Sequence, residues 1–178
     1  MPPPWQSLKY SWLHPNLEVR RFAASQRGIF AKAPLALGEL LAVFGGKVMR
    51  IDEEANADQD RAMQVHDCFV LGLGEGETED TEYFNHSCDP NAGFRGQILL
   101  HATRAIAPNE QITFDYAMVL HGATIPYRYE FECGCGSPKC RRRVTGDDWR
   151  IPELQTRYHG YFQQYLQDKI DRLNSSGG

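Results

Sequence analysis

The chain has 178 residues, of which 42% are hydrophobic and 24% are charged, and its formal net charge at pH 7 is −4. This length and composition are typical of one soluble globular domain with a buried core, and they exclude a disordered chain. The net charge argues against general nucleic-acid binding. No run approaches the ~18 uncharged residues of a membrane span, and the start MPPPWQSLKYSW shows no secretory signal. We therefore expect an intracellular protein.

Six short runs favour β-strands, with glycine, proline and asparagine turn signals between them. They are LEVRRF at 17–22, GIFAKA at 28–33, ELLAVF at 39–44, DCFVLGL at 67–73, QILLHATRAI at 97–106 and QITFDYA at 111–117. Short strands at this spacing predict a mainly β domain rather than alternating β and α units. The polar stretch 52–61 predicts one short helix between the third and fourth runs.

Acidic residues are concentrated between positions 51 and 90. Twelve aspartates and glutamates stand there against one arginine, Arg61. Such a band can steer a basic partner towards a cleft. It is equally typical of a solvated loop face, and the sequence leaves both interpretations open.

Two polar segments contain candidate site residues. In YFNHSCDPN at 83–91, the Asn85 side chain and the adjoining backbone can hold a polar ligand by several hydrogen bonds. Taken alone, His86 is more often a structural hydrogen-bonding residue than a catalyst. NEQITFDYAMV at 109–119 places the phenol of Tyr116 near a strand end, where a tyrosine is most often part of the core.

The five cysteines indicate a metal site rather than disulfides. Their odd number, without a secretory signal, argues against a disulfide framework. FECGCGSPKCRRRV at 131–144 has the spacing C-x-C-x4-C, which offers three of the four ligands of a structural zinc site. Cys88 is the candidate fourth ligand. We expect Cys68 to be a buried apolar residue.

The last part of the chain has a different pattern from Asp147 onward. Its apolar residues recur three and four positions apart, which predicts one or two amphipathic helices with one face against the body. These residues are Leu154, Tyr158, Tyr161, Phe162, Tyr165, Leu166 and Ile170. We expect the final SSGG to be disordered.

Five segments in this order, SQRGIFA, GELLAVFGGKV, YFNHSCDPN, NEQITFDYA and FECGCGSPKCRR, resemble the SET-domain protein-lysine methyltransferases with their cysteine-rich post-SET tail. The resemblance implies a mainly β, β-clip-like SET fold, in which several small curved sheets surround a pseudoknot of the NHSC and FDY segments. It implies a SET catalytic domain at 17–118 and a post-SET zinc segment at 127–146. The segment 147–174 lies outside the family pattern, and its apolar spacing alone predicts a C-terminal helical extension.

The resemblance also implies an activity: transfer of methyl groups from S-adenosylmethionine to a lysine in a basic protein tail, such as that of a histone or a histone-like protein. The catalytic residues would be Tyr116, Tyr83 and His86. The cofactor would be bound by Ser25, Gln26, Arg27, Gly28, Tyr83, Asn85, His86 and Val144. The substrate channel would be lined by Phe44, Phe94, Phe114 and Phe131, and a structural zinc ion would be held by Cys88, Cys133, Cys135 and Cys140.

The sequence departs from the family pattern at two positions. Gln26 stands where the family usually has the first glycine of its cofactor loop, so this loop is expected to run differently or to bind more weakly. Phe44 stands where the family usually has a tyrosine. Fewer hydroxyl groups in the channel lead us to expect room for a second or third methyl group on the lysine.

Other functional classes remain as alternatives. A SET-like binding module that no longer methylates is favoured by Gln26 and disfavoured by Asn85, His86 and Tyr116. A zinc knuckle for nucleic acid is disfavoured by the net charge, and the run RRR at 141–143 is expected to be a solvated surface. An exposed C-terminal helix leaves a homodimer open. The expected compartment is the nucleus in a eukaryote and the cytoplasm in a bacterium.

Overall fold

The structure, a computed structural model, describes residues 9–23, 26–52, 62–123 and 129–175. The strands within these ranges are β1 Trp12–Leu13, β2 Leu17–Arg21, β3 Arg27–Ala31, β4 Leu40–Val43, β5 Lys47–Arg50, β6 Met63–His66, β7 Phe69–Gly72, β8 Asn85–His86, β9 Ala92–Arg95, β10 Leu99–Ala102, β11 Gln111–Phe114, β12 Glu130–Glu132 and β13 Arg143–Thr145. The α-helices are α1 Pro152–Arg157 and α2 Gln164–Ser175. None of the helices in the described ranges is long and apolar enough to cross a membrane.

The strands form four small sheets, with the orders β1-β4-β10-β9, β2-β3-β11-β8, β5-β7-β6 and β12-β13. In the second sheet β11 pairs antiparallel with β3 and parallel with β8. The parallel register sets Thr113 opposite Asn85 and Phe114 opposite His86. This pairing brings the NHSC and FDY segments side by side, although they are distant in sequence.

One continuous hydrophobic core joins the strands to the C-terminal segment. Ile29, Leu41, Leu100 and Ile112 are fully buried on the strands. The C-terminal segment adds apolar side chains to the same cluster: Trp149, Leu154, Tyr158, Phe162, Tyr165, Leu166 and Ile170. The helix α1 begins at Pro152, whose fixed φ suits a first turn, and the chain leaves it through Gly160 at φ 77°.

The prediction of a mainly β fold of small sheets with a C-terminal amphipathic helix is confirmed. Each of the six predicted runs contains a strand, namely β2, β3, β4, β7, β10 and β11. The prediction for 52–61 falls outside the described residues except for Asp52, which lies in a turn. The expectation that Cys68 is buried is wrong. Cys68 is exposed in the two-residue turn between β6 and β7, because the tip of a hairpin faces solvent.

Candidate active site and metal centre

A cavity of about 700 Å³ lies where β3, β8, β11 and the cysteine-rich loop meet. Its volume falls in the range of small-molecule binding sites. The cavity brings together six of the predicted site residues, which come from distant parts of the sequence: Gln26, Arg27, Asn85, His86, Tyr116 and Phe131. Ser25, also predicted to bind the cofactor, lies outside the described residues.

The missing side chain of Gly28 allows a close approach on one wall of this cavity. A Cβ atom there would stand 2.2 Å from Nε2 of Gln111 and 3.0 Å from Nδ2 of Asn85. Nδ2 of Asn85 donates to the carbonyl of Arg27 at 2.7 Å, and Nη1 of Arg27 donates to the hydroxyl of Tyr83 at 3.1 Å. Nε2 of Gln111 is buried and has no hydrogen-bond partner among the described residues, so this wall has an unused donor.

His86 is a neutral imidazole that connects two parts of the site. Its Nδ1 accepts the backbone N–H of Tyr116 at 3.2 Å, so the ring proton is on Nε2, which lies 3.2 Å from Sγ of Cys88. Burial lowers the pKa of His86 to about 4, although the Asp115 carboxylate 3.6 Å from Nδ1 opposes this shift. The geometry is that of a hydrogen-bonding residue, the role that the sequence analysis also weighed for His86.

Tyr116 begins the short 3-10 turn Tyr116–Met118, which follows directly after β11 and Asp115. Its hydroxyl donates to the carbonyl of Phe84 at 3.3 Å. Burial raises the pKa of Tyr116 to about 12, so the phenol keeps its proton at neutral pH. The ring packs edge-on against His86 and Phe131, with centroid distances of 5.2 and 6.1 Å. The phenol of Tyr116 therefore forms part of the cavity lining, next to His86 and Phe131.

The four phenylalanines predicted to line a substrate channel occupy different places. Phe131 lines the large cavity, while Phe44 borders a second cavity of about 40 Å³. Phe94 is fully buried and Phe114 is 6% exposed, both in the core. The rings of Phe44, Phe94 and Phe114 pack against one another with centroid distances of 5.2 to 6.4 Å. The channel role of Phe94 and Phe114 stays a prediction.

The structure brings together four cysteines, Cys88, Cys133, Cys135 and Cys140, whose Sγ atoms all lie within 4.8 Å of one another. The Sγ atoms of Cys88 and Cys133 are 3.9 Å apart, close to the separation of about 3.8 Å that a tetrahedral Zn²⁺ with Zn–S bonds of about 2.3 Å requires. The backbone N–H of Arg141 donates to Sγ of Cys88 and that of Arg142 donates to Sγ of Cys140, each at 3.4 Å. The cluster can therefore hold one structural zinc ion with no position left open.

Asp115 is a fully buried carboxylate behind the cavity, and the sequence analysis missed it. Arg141 donates to it through Nη1 at 2.5 Å and Nη2 at 2.8 Å, and also binds Asp148 through Nε at 2.9 Å. The expectation of a solvated run at 141–143 is wrong for Arg141, whose side chain is 15% exposed, because it pairs with two buried carboxylates. Arg142 and Arg143 are exposed as expected.

Asn91 and Val144 are two further buried residues at the edges of the site. The Asn91 amide donates to the carbonyl of Gln111 at 2.8 Å and accepts the N–H of Thr113 at 2.9 Å, which fastens the loop after Cys88 to β11. Val144 is fully buried in a cluster with the cysteines. Its predicted contact with the adenine of a cofactor stays a prediction.

Most acidic residues of the 51–90 band that the structure describes have partners within the chain. Glu79 is buried and accepts the backbone N–H of Tyr10 at 2.7 Å. Four others form ion pairs at 2.6 to 2.9 Å: Asp52 with Arg50, Asp67 with Lys169, Glu77 with Lys9 and Asp89 with Lys139. These contacts favour the interpretation of a solvated, internally paired face. The band is therefore weak support for a basic partner.

Comparison with protein families finds that the model described as "SET domain" matches residues 26–117. The chain is 28% identical over 143 residues to "Histone-lysine N-methyltransferase 2B" of Homo sapiens, a match that covers 70% of this chain and 5% of that protein. It is 35% identical over 136 residues to "Histone-lysine N-methyltransferase ASHH3" of Arabidopsis thaliana, covering 66% of this chain and 35% of that protein. Thus the matched region is a minor part of each relative.

Among solved structures, the chain resembles the "crystal structure of KRYPTONITE in complex with mCHG DNA and SAH" with a TM-score of 0.57. The alignment covers 74% of this chain and 29% of that chain, at 23% sequence identity. At this identity the likeness shows the fold alone.

Proposed function

The chain belongs to the SET-domain family, and from this premise we propose that it is an S-adenosylmethionine-dependent protein-lysine N-methyltransferase. The observation that carries the proposal is the cavity of about 700 Å³ in which Asn85, His86 and Tyr116 converge beside four clustered cysteines. The histone-lysine N-methyltransferases to which the chain is similar support the same class of reaction.

The cavity fits S-adenosylmethionine, which supplies the methyl group when it is bound. The side-chain amide of Gln111 packs against Gly28 on the polar wall of this cavity, and its Nε2 has no hydrogen-bond partner among the described residues. Asn85, Gln26 and the backbone of Arg27 would hold the polar ends of the cofactor. Tyr83, placed by its hydrogen bond to Arg27, would border the same region.

The protein's part in the reaction is alignment and desolvation. A free lysine has a pKa near ~10.4, so its amine has to lose a proton before it can attack a methyl group. Burial among aromatic rings disfavours the ammonium form and promotes that loss. The phenol of Tyr116 stays protonated and donates a hydrogen bond to the backbone carbonyl of Phe84, so a lone pair on its oxygen can accept a hydrogen bond from the amine. Phe131 covers His86 and helps to exclude water.

The cysteine cluster would hold a structural zinc ion, with Cys88, Cys133, Cys135 and Cys140 as ligands. Because Cys88 belongs to the NHSC segment and the other three to the post-SET loop, this ion would fix that loop at the mouth of the cavity. It would contribute order rather than chemistry.

We further propose that the substrate is a lysine in a histone or histone-like tail, which the similarity of the chain to histone-lysine N-methyltransferases supports. A histone substrate would place the protein in the nucleus of a eukaryote. Phe44 has no hydroxyl group that could hold a water molecule or the incoming amine in the substrate channel. We therefore expect di- or trimethylated product, and mass spectra that show only monomethyl-lysine after exhaustive reaction would contradict this.

Two measurements test the proposal. Calorimetry with S-adenosylhomocysteine should give saturable binding at one site per chain. Labelled S-adenosylmethionine should then transfer its methyl group to lysine in a panel of histones and basic peptides. Binding without transfer to any panel member would favour a SET-like binding module, and absence of binding would contradict the proposed function.

A further inference from the structure

Tyr158, at the end of α1, places its hydroxyl between two segments of the candidate active site. The Tyr158 Oη atom lies 3.1 Å from Oδ2 of Asp115 and 3.2 Å from the carbonyl oxygen of Cys88. The residue is 5% exposed, so water does not share these contacts. One side chain of the C-terminal segment therefore touches both the metal-ligand segment and the residue that precedes Tyr116.

The hydroxyl has one hydrogen, which it shares between these two acceptors in a three-centre hydrogen bond, and the charged carboxylate is the stronger acceptor. The other donors to Asp115 are two N–H groups of Arg141 and the backbone N–H of Ala117. With Tyr158, four donors fill the acceptor positions of a fully buried carboxylate. Without the hydroxyl, Asp115 keeps three donors, and water cannot replace the fourth.

The position of Tyr158 is fixed by the core, not by the site. Its ring belongs to the main hydrophobic cluster and packs against Phe162 with a centroid distance of 6.2 Å. The backbone that follows is also anchored, because Gln163 donates its N–H to the carbonyl of Met118 at 3.0 Å. A hydroxyl on such a rigid support can hold other groups in place.

Both residues that the Tyr158 hydroxyl contacts, Cys88 and Asp115, are directly connected to the candidate site. Cys88 is a candidate metal ligand two positions after His86, and Asp115 is covalently linked to Tyr116, whose N–H is held by His86. A displacement of Asp115 would therefore move both Tyr116 and, through Arg141, the cysteine-rich loop.

We propose that Tyr158 is a positioning residue that fastens the NHSC segment, the turn at Tyr116 and the cysteine-rich loop to one another. The C-terminal segment 147–175 is then part of the working site rather than an appended packing helix. The expected change in kcat rests on the proposed methyl transfer. The expected change in zinc retention does not depend on that function.

The test compares Tyr158→Phe with Tyr165→Phe in the full chain. Tyr165 is a matched control, because it is also buried in the C-terminal segment and its hydroxyl donates to the backbone carbonyl of Val119, which caps the far end of the turn Tyr116–Met118 rather than contacting Asp115 or Cys88. Three quantities are measured: the rate at which a chromophoric chelator removes zinc, the Kd of S-adenosylhomocysteine, and the kcat and KM of methyl transfer.

We expect Tyr158→Phe to release zinc about tenfold faster and to lower kcat about tenfold, with KM for the peptide unchanged within twofold. Tyr165→Phe should leave all of these values within twofold, even with a similar loss of thermal stability. Equal behaviour of the two variants would overturn the proposal, as would purification of the wild-type chain without zinc. If no protein is methylated by the wild type, the proposed function fails, but the zinc-release comparison still decides the role of Tyr158.

Discussion

The guanidinium group of Arg141 holds the buried carboxylate of Asp115 by two hydrogen bonds, of 2.5 and 2.8 Å. Arg141 follows the candidate ligand Cys140, and Asp115 precedes Tyr116. Interaction with Asp115, set against the cost of burial, raises the pKa of Arg141 further above its usual value. The ion pair thus connects the cysteine-rich loop to the turn Tyr116–Met118, whose first residue lines the cavity.

Replacement of Arg141 should strongly destabilise the fold. Arg141→Met leaves the Asp115 carboxylate buried without a countercharge, which costs about 3–5 kcal/mol of unfolding free energy. Arg142→Met is the matched control. This neighbouring side chain is exposed, and its loss should cost less than about 0.5 kcal/mol. Denaturant unfolding of both variants checks the difference, and a similar cost for the two would contradict the account of the ion pair.

Metal content should depend on the clustered cysteines and not on Cys68. Cys133→Ser leaves three thiolates, which do not complete a tetrahedral zinc site, so the purified variant should contain less than about 0.2 zinc ions per chain. Cys68→Ser removes an exposed thiol in a hairpin turn and should retain about one zinc ion per chain, as the wild type should. Elemental analysis measures all three. Equal zinc in both variants would refute the assignment of the ligands.

A side chain at position 28 should weaken cofactor binding through Gln111. In Gly28→Ala the new Cβ would stand 2.2 Å from Nε2 of Gln111, so that side chain has to move into the cavity. We expect the Kd of S-adenosylhomocysteine to rise about tenfold, corresponding to about 1.4 kcal/mol. Calorimetry should also show that Gly28→Ala has a smaller effect in a Gln111→Ala background. Equal effects in the two backgrounds would mean that the contact with Gln111 is not the cause.

The ion pair of Asp67 should make stability depend on pH. Burial opposes ionisation of Asp67, but hydrogen bonds from Lys169 and His121 outweigh it and hold the pKa of the folded state below the usual value. A carboxyl with a lowered folded pKa stabilises the fold above its unfolded pKa of about 3.9, and this stabilisation is lost as the pH falls through the folded value. Asp67→Asn should thus cost about 1 kcal/mol at pH 7.

The same difference should begin to shrink as the pH falls below about 4, the unfolded pKa, and should disappear below the lower folded pKa, where Asp67 is neutral in both the folded and the unfolded chain. Thermal unfolding from pH 7 to pH 3 measures it. Glu75→Gln, which neutralises an exposed carboxylate in the loop after β7, serves as the control and should show little difference at any pH. A cost for Asp67→Asn that stays constant with pH would show that charge is not the cause.

The sequence predicted six strands whose own apolar pattern marks them, but it missed the other strands of the described ranges, among them β5, β6 and β9, which are as long as β4. β8, with two residues, is defined by its parallel partner β11 and has no pattern of its own. The motif residues Asn85, His86 and Tyr116 do converge on one cavity. The partners of Asp115 lie 26 residues away at Arg141 and 43 residues away at Tyr158, so only the folded chain shows that these polar groups satisfy one another.

The family motifs predict the residues that face the cavity, but they do not predict the buried contacts of the C-terminal segment. The family motifs name residues that face the cavity, because ligand chemistry limits those residue types. The C-terminal segment carries no family motif here, and its amphipathic pattern predicted packing without indicating that Tyr158 reaches Cys88 and Asp115. The spacing of apolar residues predicts that a tyrosine ring is buried, but it does not identify the hydrogen-bond partner of the hydroxyl group.

The most direct test of the account measures methyl transfer from labelled S-adenosylmethionine to histones by the wild type and by Tyr116→Phe. We predict that the wild type labels lysine and that the variant, which keeps the aromatic ring but loses the hydroxyl, is slower by about 100-fold while binding S-adenosylhomocysteine within twofold of the wild type. Tyr161→Phe, which removes a hydroxyl bound to Arg95 at 3.3 Å outside the cavity, should keep the wild-type rate. Equal labelling by Tyr116→Phe and the wild type would contradict the central role of Tyr116.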